Sequence, residues 1–167
     1  DKKIMSQRNK YRLSLRLPYY DYSQHNAYFV TVCVQQRACV LGEIRKNQIY
    51  LSRYGQIAKE QWLWLSRQYP YVMLKQFVVM PNHFHGILTL ADCKGKVKSL
   101  GQLVGAFKTT SAKAINLIRQ TPGKPFWQRS FYERIIRNEK EYEVLQEYIV
   151  NNPLQWSLDE ANPNRHQ

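Results

Sequence analysis

The residues best suited to chemistry lie between Val78 and Leu90, where one residue separates two histidines. Side chains alternate faces along an extended strand, so His83 and His85 are predicted to point one way and Phe84 the other. Two neighbouring imidazoles can bind one metal ion, but such a pair also occurs as two polar residues on a solvated strand face. A metal site requires at least a third protein ligand.

A second candidate group lies near the C-terminus, in a segment whose pattern predicts a helix. Tyr148 and Asn152 are four residues apart and therefore share a helix face. A phenol is a potential nucleophile, and an amide oxygen is a hard ligand suited to Mg²⁺ or Mn²⁺. The apolar neighbours of Tyr148 also fit a core position, which the periodicity by itself favours.

The charge of the chain favours a polyanionic partner. Lysine and arginine number 25 against 12 acidic residues, a net charge of +13. Among polyanionic partners, the charge favours nucleic acid most and an anionic membrane surface next. Aromatic residues make up 13% of the chain and suit base stacking as well as core packing.

The sequence carries no pattern typical of a membrane or secreted protein. No apolar run approaches the roughly 20 residues that a bilayer-spanning helix needs. The basic N-terminal segment lacks an apolar signal core, which predicts a cytoplasmic protein of bacterial type without a membrane partner. The three cysteines show no CxxC spacing, which argues against a disulfide framework or a structural zinc site.

The order of predicted elements indicates an α+β protein. We predict a basic arm at 1–17, a single catalytic domain at 18–156 and a polar, loosely held tail at 157–167. Strands are predicted at 27–34, 71–80, 83–90 and 126–136, a hairpin at 43–51, and helices at 54–69, 99–119 and 138–152. This order predicts a ferredoxin-like, four-stranded antiparallel sheet with helices on one face, plus a C-terminal helix that carries Tyr148.

Several separated motifs resemble one family. The motif HFH follows an apolar strand, and EYIVNNP lies in a late helix preceded by FWQRSFYERIIRN. The opening RLSLRLPYYDYSQHNAYFVTVCVQQR belongs to the same likeness. Together they resemble the HUH single-strand DNA transposases with one catalytic tyrosine, and more narrowly the REP-associated tyrosine transposase group. The resemblance extends from about Arg12 to Trp156.

This resemblance implies a divalent metal ion, Mg²⁺ or Mn²⁺, and no nucleotide cofactor. It implies that His83 and His85 are metal ligands, that Asn152 is the third ligand and that Tyr148 is the nucleophile. Insertion-sequence relatives often carry a glutamine where this chain has Asn152. Asparagine is one methylene shorter, so Asn151 or a bridging water stays open as an alternative.

The implied activity is cleavage and rejoining of single-stranded DNA at hairpin-flanked sites through a 5′-phosphotyrosine intermediate. Predicted DNA contacts are Arg12, Arg16, Lys108, Arg129 and Arg134. A homodimer and a monomer both stay open. Two other functions compete: a non-catalytic nucleic-acid-binding module of the same fold, and a metal-dependent phosphodiesterase that uses the histidine pair and forms no protein adduct.

Overall fold

The computed structural model describes residues 27–165. The basic arm predicted at 1–17, with Arg12 and Arg16, therefore lies outside the described residues.

Within residues 27–165 the chain forms six β-strands and three α-helices. The strands are β1 (Ala27–Cys33), β2 (Gly42–Arg45), β3 (Gln48–Leu51), β4 (Val72–Val79), β5 (His83–Leu90) and β6 (Tyr132–Ile136). The helices are α1 (Arg53–Gln68), α2 (Leu100–Ile118) and α3 (Glu139–Asn151). None of these described helices combines the length and apolar character needed to cross a membrane.

Four strands form the main sheet in the order β4-β5-β1-β6, and every neighbouring pair is antiparallel. The short connection between β4 and β5 makes them antiparallel neighbours, because a parallel pair needs a long crossover. The predicted ferredoxin-like sheet is thus confirmed, with β1 and β5 at its centre. The separate β2–β3 hairpin turns at Lys46 and Asn47, whose φ values of 48° and 63° are those of a type I′ turn.

The fourth strand of this sheet is shorter than predicted. The sequence pattern predicted a strand from Phe126, but β6 begins at Tyr132. Phe126 and Trp127 are buried and pack edge to face, and Trp127 forms an isolated bridge with Val34. Phe126 and Trp127 are therefore apolar because they belong to a loop that packs into the core, and not because they extend the strand.

The sheet separates two apolar layers. One face of β1 and β5 packs on α1 and α2, where Trp62 and Phe107 make an edge-to-face contact at 5.5 Å. The opposite face carries Phe29 and Ile87 and is covered by α3. Helices α1 and α2 share one face as predicted, while the C-terminal helix closes part of the other.

Side-chain caps fix the start of the two later helices. Ser99 and Gln102 form a reciprocal capping box at α2, whose predicted range began at residue 99. At α3, Asn138 Oδ1 accepts from the Glu141 N–H at 2.9 Å, and the Glu141 carboxylate accepts from the Arg137 N–H at 3.0 Å. The Arg137 bond is the main cause that lowers the pKa of Glu141.

The C-terminal segment differs from the expectation of a loosely held tail. Residues Trp156–Leu158 form a short 3-10 turn, and Asp159 and Ala161 are buried. Asn82 Nδ2 donates to the Ala161 carbonyl oxygen at 2.7 Å. The expectation was wrong for this part of the tail, because polar composition does not reveal a hydrogen bond between residues as far apart in the sequence as Asn82 and Ala161.

We predict that Gly86→Ala destabilises the protein by about 1–3 kcal/mol, the usual cost of overpacking a core. An added Cβ would lie 2.7 Å from Trp62 Cζ2 and 2.9 Å from Phe84 Cε1, and both rings are fully buried. Urea unfolding measures the change. Gly105→Ala is the matched control, because its Cβ would meet nothing within 4 Å; an equal loss in both variants would contradict the packing account.

Candidate active site

The histidine pair opens β5 and lies on the sheet face that α3 covers. The His83 and His85 rings lie 4.6 Å apart between centroids. Both side chains are almost fully buried, at 1% and 0% exposure. Two polar residues on a solvated strand face would not be buried in this way, so the structure disfavours that alternative.

Oxygen partners orient both imidazoles through Nδ1. His83 Nδ1 lies 2.8 Å from Asn82 Oδ1, and His85 Nδ1 lies 2.7 Å from Thr31 Oγ1. Asn82 Nδ2 donates to the carbonyl oxygens of Arg37 and Ala161, which fixes the amide so that Oδ1 faces His83. An amide oxygen only accepts, so His83 donates from Nδ1 and its Nε2 carries the lone pair that a metal ion would use.

Tyr148 lies beside this pair in the same chain. Its ring centroid is 5.3 Å from that of His85, edge to face, and 6.1 Å from that of Phe29. The side chain is 9% exposed and belongs to the apolar layer with Leu145 and Ile149. Tyr148 therefore occupies a core position and contacts His85 at the same time.

Asn152 ends α3 with a buried side chain at 3% exposure. In the part of the chain that the structure describes, its Oδ1 atom has no hydrogen-bond partner. A buried oxygen without a partner costs free energy and calls for a specific explanation. Asn151, the alternative ligand, is only half-buried.

These donors fit a divalent cation. The two buried imidazoles held through Nδ1 are nitrogen donors typical of transition-metal sites, and the unsatisfied amide oxygen is a hard donor of the type that Mn²⁺ and Mg²⁺ bind. Among residues 27–165, however, no group of three or more His, Cys, Asp or Glu side chains is arranged to hold a metal ion. A metal site here would therefore need the Asn152 amide as a third ligand, because two imidazoles are too few to hold a metal ion.

Asp159 also lies near the histidine pair, although no sequence pattern predicted it. Its Oδ2 atom lies 4.0 Å from His83 Nε2, and both side chains are buried. The neighbouring Trp156 ring lies 6.2 Å from the His83 ring. No local pattern marks Asp159, because it reaches the site only through the return of the C-terminal segment.

The predicted DNA contacts that the structure describes differ in their surroundings. Lys108 is half-buried and its Nζ donates to the carbonyl oxygens of Gln128 and Arg129 at 2.7 and 2.9 Å. Burial lowers the pKa of Lys108, and the nearby Cys33 opposes this in part. Arg129 is exposed, whereas Arg134 lies 3.5 Å from Glu141 in an ion pair. Their contacts with DNA stay predictions.

The fold is similar to the folds of two solved structures. The structure is similar to that of a REP-associated tyrosine transposase bound to a REP hairpin, with a TM-score of 0.64 and 24% identity over 86% of this chain and 73% of that chain. It is also similar to a putative transposase from Deinococcus radiodurans R1, with a TM-score of 0.51 and 19% identity over 83% of this chain and 97% of that chain.

Sequence comparison defines the family. The sequence model described as "Transposase IS200 like" matches residues 22–152. An uncharacterised protein of Haemophilus influenzae (strain Rd) is 34% identical over 171 residues, which cover 90% of this chain and 92% of that protein. The chain belongs to the IS200-like transposase family, which confirms the family resemblance found in the motifs.

We predict that Thr31→Val lowers the free energy of unfolding by about 1 kcal/mol, the net worth of a typical hydrogen bond. Valine keeps the shape but removes the hydroxyl at 2.7 Å from His85 Nδ1. The ¹⁵N chemical shifts of His85 should change as well. Thr89→Val, at the far end of β5, is the control; unchanged His85 shifts in Thr31→Val would show that this hydroxyl does not orient the ring.

Proposed function

We propose that the protein cleaves and rejoins single-stranded DNA with Tyr148 as the nucleophile. The observation that carries this proposal is the edge-to-face contact of Tyr148 with His85, at 5.3 Å between ring centroids. The phenol and the two imidazoles lie close together, and the buried amide of Asn152 follows Tyr148 by four residues at the end of the same helix. Membership of a transposase family gives this arrangement its chemical context.

DNA with a hairpin beside a single strand is the proposed substrate. The similar REP-associated transposase was solved with a REP hairpin. The net charge of +13 supports a polyanionic partner, because basic residues bind phosphates by charge and hydrogen bonds. Arg129 is exposed and would then contact the DNA backbone.

His83, His85 and Asn152 would hold a divalent metal ion, Mg²⁺ or Mn²⁺. When bound, such an ion supplies positive charge that offsets the negative charge developing on the scissile phosphate. Asn82 and Thr31 keep the two imidazoles in orientation through Nδ1. Outer hydrogen bonds of this type set the direction of a ligand and raise its basicity.

The covalent step balances without a nucleotide cofactor. The Tyr148 oxygen forms a bond to phosphorus while the bond from phosphorus to the 3′-oxygen breaks. The 3′-oxygen leaves as a hydroxyl, with a net transfer of the phenolic proton to it, and the 5′-phosphate stays on Tyr148. In the reverse direction a 3′-hydroxyl attacks the phosphotyrosine and joins the strands, so no bond energy is lost.

Packing in the apolar layer prepares Tyr148 for this step. Phe29 and Ile149 restrict the ring, and the α3 backbone sets its position relative to His85. A nucleophile held close to its target gains rate because less orientational entropy is lost in the transition state. The rings of Tyr148 and His85 lie only 5.3 Å apart within the same chain. This distance favours a tyrosine that acts in the active site of its own chain and not in that of a partner.

We predict that Tyr148→Phe abolishes covalent protein–DNA adducts on a denaturing gel. The ring and its packing are kept, while the nucleophilic oxygen is removed. The dissociation constant for the hairpin should stay within about threefold of that of the parent protein, which corresponds to about 0.7 kcal/mol. We expect so small a change because the substitution alters no charge.

Tyr142→Phe is the matched control on the same helix. Its hydroxyl donates to Gln76 Oε1 at 3.0 Å, so the control also removes one hydrogen bond. It should form adducts at the parent rate. Adducts that persist in Tyr148→Phe would exclude Tyr148 as the nucleophile, and parent-level hairpin binding without adducts in any variant would favour a pure binding module.

Removal of the metal should stop cleavage. EDTA, or His83→Ala together with His85→Ala, is expected to lower adduct formation by about 100-fold or more, the scale of losing one main electrostatic contribution. Comparison of Asn152→Ala with Asn151→Ala identifies the third ligand. Only Asn152→Ala should raise the Mn²⁺ concentration needed for half-maximal cleavage; the opposite order would assign the role to Asn151.

A further inference from the structure

The loop between β1 and β2 has a strained backbone close to the start of β5. Gln36 and Arg37 have φ values of 55° and 52°, in the left-handed region that residues with a Cβ atom adopt only at a cost in free energy. Both side chains are exposed, so their own burial does not explain the conformation. Backbone strain of this kind persists only where surrounding contacts fix it, and it is frequent at functional sites.

Hydrogen bonds fix this loop to the turn that precedes β5. The Val34 N–H donates to the Asn82 carbonyl oxygen at 3.0 Å. The Asn82 side chain donates from Nδ2 to the Arg37 carbonyl oxygen at 3.1 Å. Because Asn82 Oδ1 also lies 2.8 Å from His83 Nδ1, a single amide connects the backbone of Arg37 to the histidine pair.

A second basic loop meets the same end of β1. The Gln128 N–H donates to the Cys33 carbonyl oxygen at 2.8 Å, and Cys33 is paired with His83 across β1 and β5. The exposed Arg129 follows Gln128 in the chain. Arg37 and Arg129 therefore belong to two loops that meet β1 where the histidines open β5, and both add positive charge at the edge of the proposed active site.

We propose that Arg37 binds a phosphate of the single strand beside the scissile position. This inference rests on the proposed function, and it adds a residue to the DNA contacts that the sequence predicted. A guanidinium offers N–H donors in a planar arrangement that matches two phosphate oxygens. The left-handed turn sets where the Arg37 side chain leaves the backbone, and the Asn82 amide relates that position to His83. Arg37 places the DNA backbone and takes no part in the transfer of the bond.

The test is binding of the full chain to a hairpin oligonucleotide with a single-stranded flank, measured by fluorescence anisotropy without added metal ion. Arg37→Gln should raise the dissociation constant about tenfold, the effect of losing a hydrogen bond to a charged group. The slope of log affinity against log salt should fall by about 0.7, the value for one phosphate of a single strand. Arg67→Gln is the matched control, because it removes the same charge from an exposed position in the last turn of α1, and it should bind like the parent protein.

Oligonucleotides that carry one neutral methylphosphonate in the flank locate the contact. At the phosphate that Arg37 binds, the neutral group should weaken binding of the parent protein and cause no further loss in Arg37→Gln, because the effects of groups in contact are not additive. Arg37→Lys keeps the charge and should keep the salt slope while it loses part of the affinity. Thermal melting checks that each variant is folded.

The outcomes separate this inference from the proposed function. Equal losses in Arg37→Gln and Arg67→Gln, or additive losses at every phosphate of the flank, would overturn the role of Arg37. If Tyr148 still forms covalent adducts with DNA in that case, the proposed function is intact. If the parent protein binds the hairpin oligonucleotide no better than an unrelated duplex, the proposed substrate and this inference both fail.

Discussion

The side-chain alternation along β5 is the constraint on which the site depends. Phe84 enters the larger core, where its ring lies 4.6 Å from that of Trp62 and 5.3 Å from that of Phe107. His83 and His85 must then point to the opposite face, under α3. A register slip by one residue would move the imidazoles among the aromatic rings of the larger core and place Phe84 under α3, so core packing and site geometry depend on the same register.

The second apolar layer gives α3 its double role. Leu145 and Ile149 bury the helix against β1, β5 and β6, and the same face carries Tyr148. Helical periodicity allows this because the residues lie three or four positions apart. The packing that stabilises the helix therefore also sets the distance between the phenol of Tyr148 and the ring of His85.

The bounds of strands and helices could be predicted from the sequence, whereas contacts between residues far apart in the chain could not. The pattern of β5 predicted its bounds, and Ser99 and Asn138 predicted two helix starts, because capping and alternation act over a few residues. The resemblance of the motifs to a known family supplied the roles that we propose for Tyr148 and Asn152. The sheet face that α3 covers and the position of Asp159 depend on tertiary contacts, which leave no local pattern.

The central claim is that Tyr148 forms the bond to DNA. The most direct test is to trap the protein on a single-stranded oligonucleotide that carries the hairpin, digest both with protease and nuclease, and locate the modified peptide by mass spectrometry. The account predicts a 5′-phosphate-linked nucleotide on the oxygen of Tyr148. A linkage at any other residue, or cleaved DNA without a linked peptide, would contradict it.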